Sequence, residues 1–238
     1  MDYNQAVATA PPGWRRYRVQ DLGRLPHRIR SHELERLPEA EIAAMKAGDE
    51  AAGERVVRAM FWTLVYHLDP ALWHCLAAVE PIHPDVLAAI DTPRGRVIEA
   101  GAGSGRLTRH LACFARELIA IEPSSGLRRL LSRRLPQVRI INAVAEALPV
   151  ADGWADLTAA CGSFGPDPAV LGELKRVTRR GAQVVLISPE EPEWFEANGW
   201  VRQSFAPISP AAHDPWIDDF FGVPDPPHEV VSLRVGDP

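Results

Sequence analysis

A glycine-rich turn stands in residues 97–106, VIEAGAGSGR, between an apolar run and a helical pattern. Gly101, Gly103 and Gly105 permit a tight turn and let the backbone approach a ligand closely, and the start of the following helix supplies free N–H groups. An acid, Glu99, lies two residues before the first glycine. Dinucleotide-binding folds place their third glycine one position later, where this chain has an arginine, so the spacing gives little support to pyrophosphate binding.

The pattern [VI]-x-E-x-G-x-G-x-G resembles motif I of the class I S-adenosylmethionine-dependent methyltransferases. Three later segments are similar to further motifs of that family, in the same order: LIAIEPSSGL at 118–127, NAVAEALPVADGWADLTAACGSF at 142–164 and LGELKRVTRRGAQVVLIS at 171–188. Together the four segments span about residues 93–190. The resemblance implies a Rossmann-like fold and S-adenosyl-L-methionine as the cofactor.

The resemblance also implies which residues hold that cofactor. Glu122, at the end of the second strand, would take both ribose hydroxyls, as an acid does in dinucleotide folds. Many relatives carry an aspartate where this chain has Val144, so adenine would be held by the backbone around Ala145 and by apolar packing. The residues expected to contact the cofactor are Trp73, Glu99, Gly101, Ala102, Gly103, Gly105, Glu122, Pro123, Ala145, Glu146 and Cys161.

The protein would have little chemistry to supply, because a methyl carbon on a sulfonium is already activated. The acceptor must be held in line and water excluded, and a general base is needed only when the acceptor has to lose a proton. The candidate bases are His67, His74 and His213, for each of which a structural role is the competing interpretation. Trp73 is expected to face the cofactor, where its ring would meet the sulfonium by a cation–π contact.

The elements that must position these residues follow from the change of hydrophobic period near residue 93. Short apolar runs then alternate with helical stretches, which predicts a parallel sheet with helices on both faces. The predicted strands lie at 95–100, 117–122, 138–143, 156–161 and 182–188, with a short helix at 192–199 and two last strands at 200–208 and 228–235. The fold class predicted is α/β, a Rossmann-like doubly wound seven-stranded sheet.

Residues 1–92 are predicted to form a helical N-terminal arm and lid in front of the cofactor-binding domain at 93–238. Residues 1–30, rich in proline, glycine and arginine, are expected to be an irregular arm, with helix from Ser31 or His32 onward. If the last two strands pair antiparallel, the connection at 207–227 lies on the active-site rim as an insertion.

Composition narrows the class of partner. The 238 residues carry 26 Lys and Arg against 31 Asp and Glu, a net charge of −5, which argues against the nucleic-acid backbone as the main partner. Three cysteines at unrelated spacings predict neither a disulfide framework nor a zinc site, and no other metal site is expected. No signal peptide is evident, and no run approaches the roughly 18 apolar residues of a membrane span. A cytoplasmic protein is therefore expected.

The function predicted from these features is methyl transfer from S-adenosylmethionine to a small-molecule acceptor by in-line SN2 displacement. The acidic C-terminal part, with ten acids against two arginines over residues 189–238, favours neutral or cationic acceptors. Three alternatives stay open: a cyclase or lyase that uses the same cofactor, a cofactor-binding module without catalysis, and, from the fold alone, an NAD-dependent oxidoreductase. The acceptor and the oligomeric state are not predicted.

Overall fold

The computed structural model of the chain describes residues 3–90, 94–206, 215, 220 and 229–236. Its N-terminal part is helical, as the sequence predicts. The helices in this part are α1 Tyr3–Thr9, α2 His27–Glu35, α3 Glu39–Lys46, α4 Glu50–Ala59, α5 Phe61–Leu68, α6 Pro70–Val79 and α7 Pro84–Ile90, with 3₁₀ helices at Pro12–Arg16 and Val19–Arg24.

The remainder is a seven-stranded sheet with flanking helices, which confirms the predicted α/β fold. Its strands are β1 Arg94–Ala100, β2 Ala115–Ile121, β3 Arg139–Ile141, β4 Ala155–Cys161, β5 Thr178–Ile187, β6 Val201–Ser204 and β7 Glu229–Arg234. The helices between them are α8 Thr108–Leu111, α9 Ser125–Arg134, α10 Pro168–Val177 and α11 Pro192–Ala197. The strand order is β3-β2-β1-β4-β5-β7-β6, and β7 runs antiparallel to both of its neighbours.

This order places a ligand site at the carboxyl ends of β1 and β4. The chain runs from β1 outward through β2 to β3 and then returns to the other side of β1 with β4. Such a reversal opens a crevice beyond the strand ends, where open α/β sheets bind their ligands. The glycine-rich turn follows β1, and Cys161 ends β4 at this same edge.

Alternating side chains of the central strands form two cores, one on each face of the sheet. On β1, Val97 packs on one face and Ile98 on the other, and both are fully buried. This alternation is the period of two expected of a strand covered on both sides. The rigid β1 therefore fixes where the glycine-rich turn begins.

A third core joins the N-terminal helices and departs from the predicted irregular arm. Trp14, Tyr17, Leu22 and Leu25 are buried in it beside the apolar faces of α4 and α5. In the sequence these apolar residues are interspersed with arginines, so no hydrophobic pattern reveals them. The backbone nevertheless forms short helices here. Helix α2 begins at His27, four or five residues before the predicted start at Ser31 or His32.

Two absences apply to the part of the chain that the structure describes. None of its helices has the length and apolar character needed to cross a membrane. Nor do its His, Cys, Asp and Glu side chains form a group of three or more that would hold a metal ion.

Candidate cofactor site and active site

The end of β1 carries a buried acid, Glu99, with a free bonding position. Its side chain is 2% exposed, and its Oε2 atom has no hydrogen-bond partner among the described residues. Burial raises the pKa of Glu99 to about 8, because a carboxylate loses hydration there. A buried polar atom without a partner is costly, so a ligand that donates a hydrogen bond at this edge fits the residue.

The turn after β1 needs its glycines for two separate reasons. Gly101 and Gly103 have φ of 69° and 56°, in the left-handed region that side chains disfavour. A Cβ atom on Gly101 would also lie 2.8 Å from the Ser163 hydroxyl, and one on Gly103 would lie 3.0 Å from Nε1 of Trp73. Ser163, just after β4, and Trp73, on α6, therefore approach the turn from two sides.

Glu122 holds this turn in place from the end of β2. One carboxylate oxygen accepts from the backbone N–H of Gly103 at 2.9 Å, and the other accepts from that of Ser124 at 2.6 Å. The side chain is buried, and burial raises its pKa while the two N–H groups oppose that rise. Each oxygen keeps a further lone pair, so the carboxylate retains the capacity to accept from ribose hydroxyls.

The turn is further tied to the rest of the rim by neighbouring residues of the predicted set. The backbone N–H of Ala102 donates to the carbonyl of Ile121 at the end of β2 (2.9 Å), and a Cβ atom on Gly105 would press on Leu131 of α9. Pro123 is half-buried directly after Glu122. Ala102, Gly105 and Pro123 therefore lie together around the glycine-rich turn and the end of β2.

Two residues predicted to contact the cofactor, Ala145 and Glu146, lie after β3. Ala145 is buried against the sheet core. The Glu146 carboxylate instead lies 3.2 Å from Nε2 of His32 and 3.9 Å from the Arg36 guanidinium, both in or next to α2. Arg36 also reaches Asp167, at 3.3 Å. Glu146 therefore joins the N-terminal helices to the sheet domain.

Cys161 lies at the end of β4 beside a buried guanidinium that the sequence reasoning did not select. Nη2 of Arg106 donates to the Cys161 sulfur at 3.3 Å, and Nη1 of Arg106 pairs with Glu80 at the end of α6. Burial raises the pKa of the Cys161 thiol to about 11, so it stays protonated at neutral pH. In the sequence, Arg106 is distinguished only by its position directly after Gly105, where dinucleotide-binding folds have a glycine.

Helices α5 and α6, which we call the lid helices, cover the turn with aromatic rings. The Trp73 ring centroid lies 5.0 Å from that of Tyr66 and 5.5 Å from that of Trp62. The Ser124 hydroxyl donates to the Tyr66 carbonyl at 2.6 Å, and Pro70 packs against Gly126. The lid helices are thereby fixed to the start of α9, directly after Glu122.

Tyr66 is a further site residue that the sequence reasoning did not single out. Burial raises the pKa of its hydroxyl strongly, and the nearby carboxylates of Glu122, Glu80 and Glu190 raise it further against the opposing charge of Arg106. The hydroxyl therefore stays protonated and can donate a hydrogen bond. Arg106, Glu122, Glu190 and Glu80 follow β1, β2, β5 and α6, so the Tyr66 hydroxyl lies beside the carboxyl edge of the sheet.

The two described histidines of the predicted base set lie against α9. His67 faces Arg128, and burial together with that charge lowers its pKa. Nδ1 of His74 lies 3.0 Å from the Ser104 hydroxyl, and burial and Arg134 lower its pKa. Both imidazoles are accordingly neutral at pH 7. His213 lies outside the described residues, as does nearly all of the predicted rim insertion at 207–227.

Comparison with known proteins agrees with this geometry. Residues 97–181 match the family profile described as a methyltransferase domain. A demethylmenaquinone methyltransferase of Beutenbergia cavernae is 34% identical over 119 residues, which cover 48% of this chain and 50% of that protein. An uncharacterized methyltransferase of Mycobacterium tuberculosis is 31% identical over 110 residues, 45% of this chain and 44% of that protein. The chain spans about half the length of the curated relatives it matches.

The fold has a solved counterpart as well. A SAM-dependent methyltransferase from Aquifex aeolicus superimposes with a TM-score of 0.51 at 15% identity, over 70% of this chain and 98% of that one. The sheet order, the glycine-rich turn and the acid after β2 define a nucleotide-type site at the β1–β4 crevice. Residues 97–181 thus match a methyltransferase domain, and this part of the chain is similar to proteins named methyltransferases, the class whose cofactor is S-adenosylmethionine.

Proposed function

We propose that this protein transfers a methyl group from S-adenosylmethionine to a small-molecule acceptor by in-line displacement. The observation that carries the proposal is the aromatic cover over the glycine-rich turn, with Trp73 Nε1 3.0 Å from the Cβ position of Gly103. When bound, the cofactor supplies a methyl carbon activated by a sulfonium. The protein's share is to bind, to orient and to exclude water, which a covered site favours.

The residues present fit this cofactor. Glu122 would accept from the ribose hydroxyls while it holds Gly103, and the unpartnered Oε2 of Glu99 would accept from a cofactor donor. The buried surface at Ala145 would take the adenine. The Trp73 ring would cover the cofactor from α6. Glu146 remains among the residues proposed to contact the cofactor. Because its carboxylate pairs with His32 and Arg36, the contact would be made by its backbone.

Charge around the covered site supports a neutral or cationic acceptor. Three carboxylates, those of Glu80, Glu122 and Glu190, act on the Tyr66 hydroxyl, and Arg106 alone among its main charged neighbours opposes them. An anionic acceptor would be repelled by such a wall. The relative named demethylmenaquinone methyltransferase is named for a small acceptor, which agrees with an enclosed pocket rather than a macromolecular groove.

For an acceptor that must lose a proton, the proposed bases are His67, His74 and His213. The lowered pKa values leave His67 and His74 neutral at pH 7, the state in which an imidazole accepts a proton. The bond between His74 and Ser104 also gives His74 a positioning role, since it ties α6 to the glycine-rich turn.

Incubation with S-adenosylmethionine carrying a labelled methyl group tests the activity. A panel of phenols, hydroquinones and amines would be offered, and mass spectrometry would follow both the label and S-adenosylhomocysteine. We expect label on a neutral or cationic acceptor, with much less label in the Glu122→Ala variant at the same cofactor concentration. Consumption of the cofactor without any acceptor, giving rearranged or cleaved products, would instead support the cyclase or lyase alternative. Absence of binding of any adenosyl ligand would contradict the proposal.

A further inference from the structure

A strongly basic stretch lies between Glu122 and Glu146, outside the covered site. The 23 residues from 123 to 145 carry five arginines and no acid, in a chain whose net charge is −5. The methyl-transfer proposal uses this charge only through Arg128 and Arg134, which lower the pKa values of His67 and His74, and it leaves the other three arginines without a role. The arginines of this stretch are Arg128, Arg129, Arg133, Arg134 and Arg139.

A groove gathers part of this charge along the edge of the sheet. On α9, the lining residues recur at spacings of three and four, so they share one helix face; on and beside β3 they alternate, so they share one strand face. The groove is shallow and open to solvent, and its volume of about 660 Å³ lies within the range of small-ligand sites. It is lined by Ser125, Arg128, Arg129, Ser132, Arg133, Val138, Ile140 and Asn142.

The cations of the groove form no ion pair with a carboxylate among the described residues, whereas nine other arginines do. Arg129 and Arg133 are exposed, and no described residue forms an ion pair or a hydrogen bond with either guanidinium. They are four apart on one helix, about 6 Å between Cβ atoms, where like charges repel. An anion placed between them would remove that repulsion.

Arg128 forms the inner end of the groove. It donates to two neutral oxygens, the Glu122 carbonyl and Oδ1 of Asn142, both at 2.8 Å. Partial burial lowers its pKa, and the Glu122 carboxylate only partly offsets this. A fixed guanidinium with N–H groups to spare suits an oxyanion, which it can bind by two parallel hydrogen bonds.

We propose that this groove binds the phosphate or diphosphate group of a small molecule, at a site separate from the methyl-transfer centre. Arg129 and Arg133 supply the charge, Ser125 and Ser132 supply hydroxyl donors, and the apolar side chains of β3 pack against the uncharged part of the ligand. The ten residues of α9 span only about 15 Å, which is short for a nucleic-acid track.

Calorimetric titration of the full chain with inorganic pyrophosphate tests the site. We expect saturable binding that weakens about tenfold or more in the double variant Arg129→Gln/Arg133→Gln, because charge-assisted hydrogen bonds are lost. The control is Arg28→Gln/Arg180→Gln, which removes the same charge from exposed positions elsewhere and should bind as the wild type does. Both variants should bind S-adenosylhomocysteine normally, which shows that each is folded.

Three outcomes would overturn the proposal. The first is no pyrophosphate binding by the wild type, and the second is equal loss in both double variants, which would indicate unspecific charge attraction. The third is tighter, Arg129- and Arg133-dependent binding of a short RNA or of phosphatidylglycerol vesicles than of pyrophosphate. That result would assign the groove to a polyanion or a lipid surface.

Discussion

Glu122 does two things with one carboxylate, which makes it the residue whose loss should cost most. It holds the N–H groups of Gly103 and Ser124, and its remaining lone pairs are available to the cofactor ribose. In Glu122→Ala, we expect the affinity for S-adenosylhomocysteine, measured by calorimetry, to fall about a hundredfold, since at least two charge-assisted hydrogen bonds disappear. Glu122→Gln, which keeps one acceptor oxygen, should lie between the alanine variant and the wild type.

The matched control for this prediction is Glu117→Ala. Glu117 stands on β2, is exposed, and has Arg116 as its one ion-pair partner among the described residues. Its loss should leave the affinity unchanged. Equal affinities in Glu122→Ala and the wild type would show that Glu122 has no role in cofactor binding.

Glu99 should make the stability of the protein depend on pH in a characteristic direction. The pKa of this buried acid is about 8 in the fold, against about 4.3 in an unfolded chain. Between these values the folded state holds a proton that the unfolded state releases, so the stability from Glu99 is full below the lower value and declines as the pH rises toward the upper one. Above pH 8 this contribution is lost.

The variant Glu99→Gln isolates that effect, since an amide does not titrate. We expect thermal unfolding followed by circular dichroism to show the wild type losing stability relative to Glu99→Gln between pH 5 and pH 8, by a few kcal/mol in total. A constant difference between the two proteins over this range would mean that Glu99 ionises normally in the fold.

At the scale of elements, the lid helices are held by contacts that are partly backbone and partly aromatic. Trp73 provides the aromatic contact over Gly103 and packs edge-on against Tyr66. In Trp73→Ala, we expect about tenfold weaker binding of S-adenosylhomocysteine, because the cover over the turn is removed. Trp73→Phe keeps a ring and should lose less. Calorimetry that finds the alanine variant as tight as the wild type would separate the lid from cofactor binding.

At the scale of the whole molecule, the segment from Trp14 to Leu25 is part of the N-terminal core rather than an appendage. Trp14 is 7% exposed, and the Arg58 guanidinium lies 4.3 Å from its ring centroid. Trp14→Ala should lower the free energy of unfolding by about 3 kcal/mol in chemical denaturation, as large-to-small changes in a core do. Trp194→Ala, at a partly exposed position on α11, should cost much less. Similar losses in both variants would contradict the packing of Trp14.

The sequence was sufficient for the sheet and insufficient for its cover. Strands with a strict period and a glycine-rich turn are local patterns, so Glu99, Gly103 and Glu122 could be placed before the structure was known. Tyr66 and Arg106 could not be found in this way, because the charged groups near them are distant in the sequence and no local pattern marks either residue. The predicted irregular arm is likewise part of a core, because its apolar residues pack against α4 and α5, which come later in the chain.

The central claim is that the crevice beyond β1 and β4 binds S-adenosylmethionine rather than a dinucleotide. The most direct measurement is calorimetric titration of the unmodified chain with S-adenosylmethionine, S-adenosylhomocysteine and NADH in parallel. The geometry of Glu122 and the glycine-rich turn predicts saturable binding of both adenosyl ligands and none of NADH. Tight binding of NADH, with no binding of either adenosyl ligand, would contradict the claim.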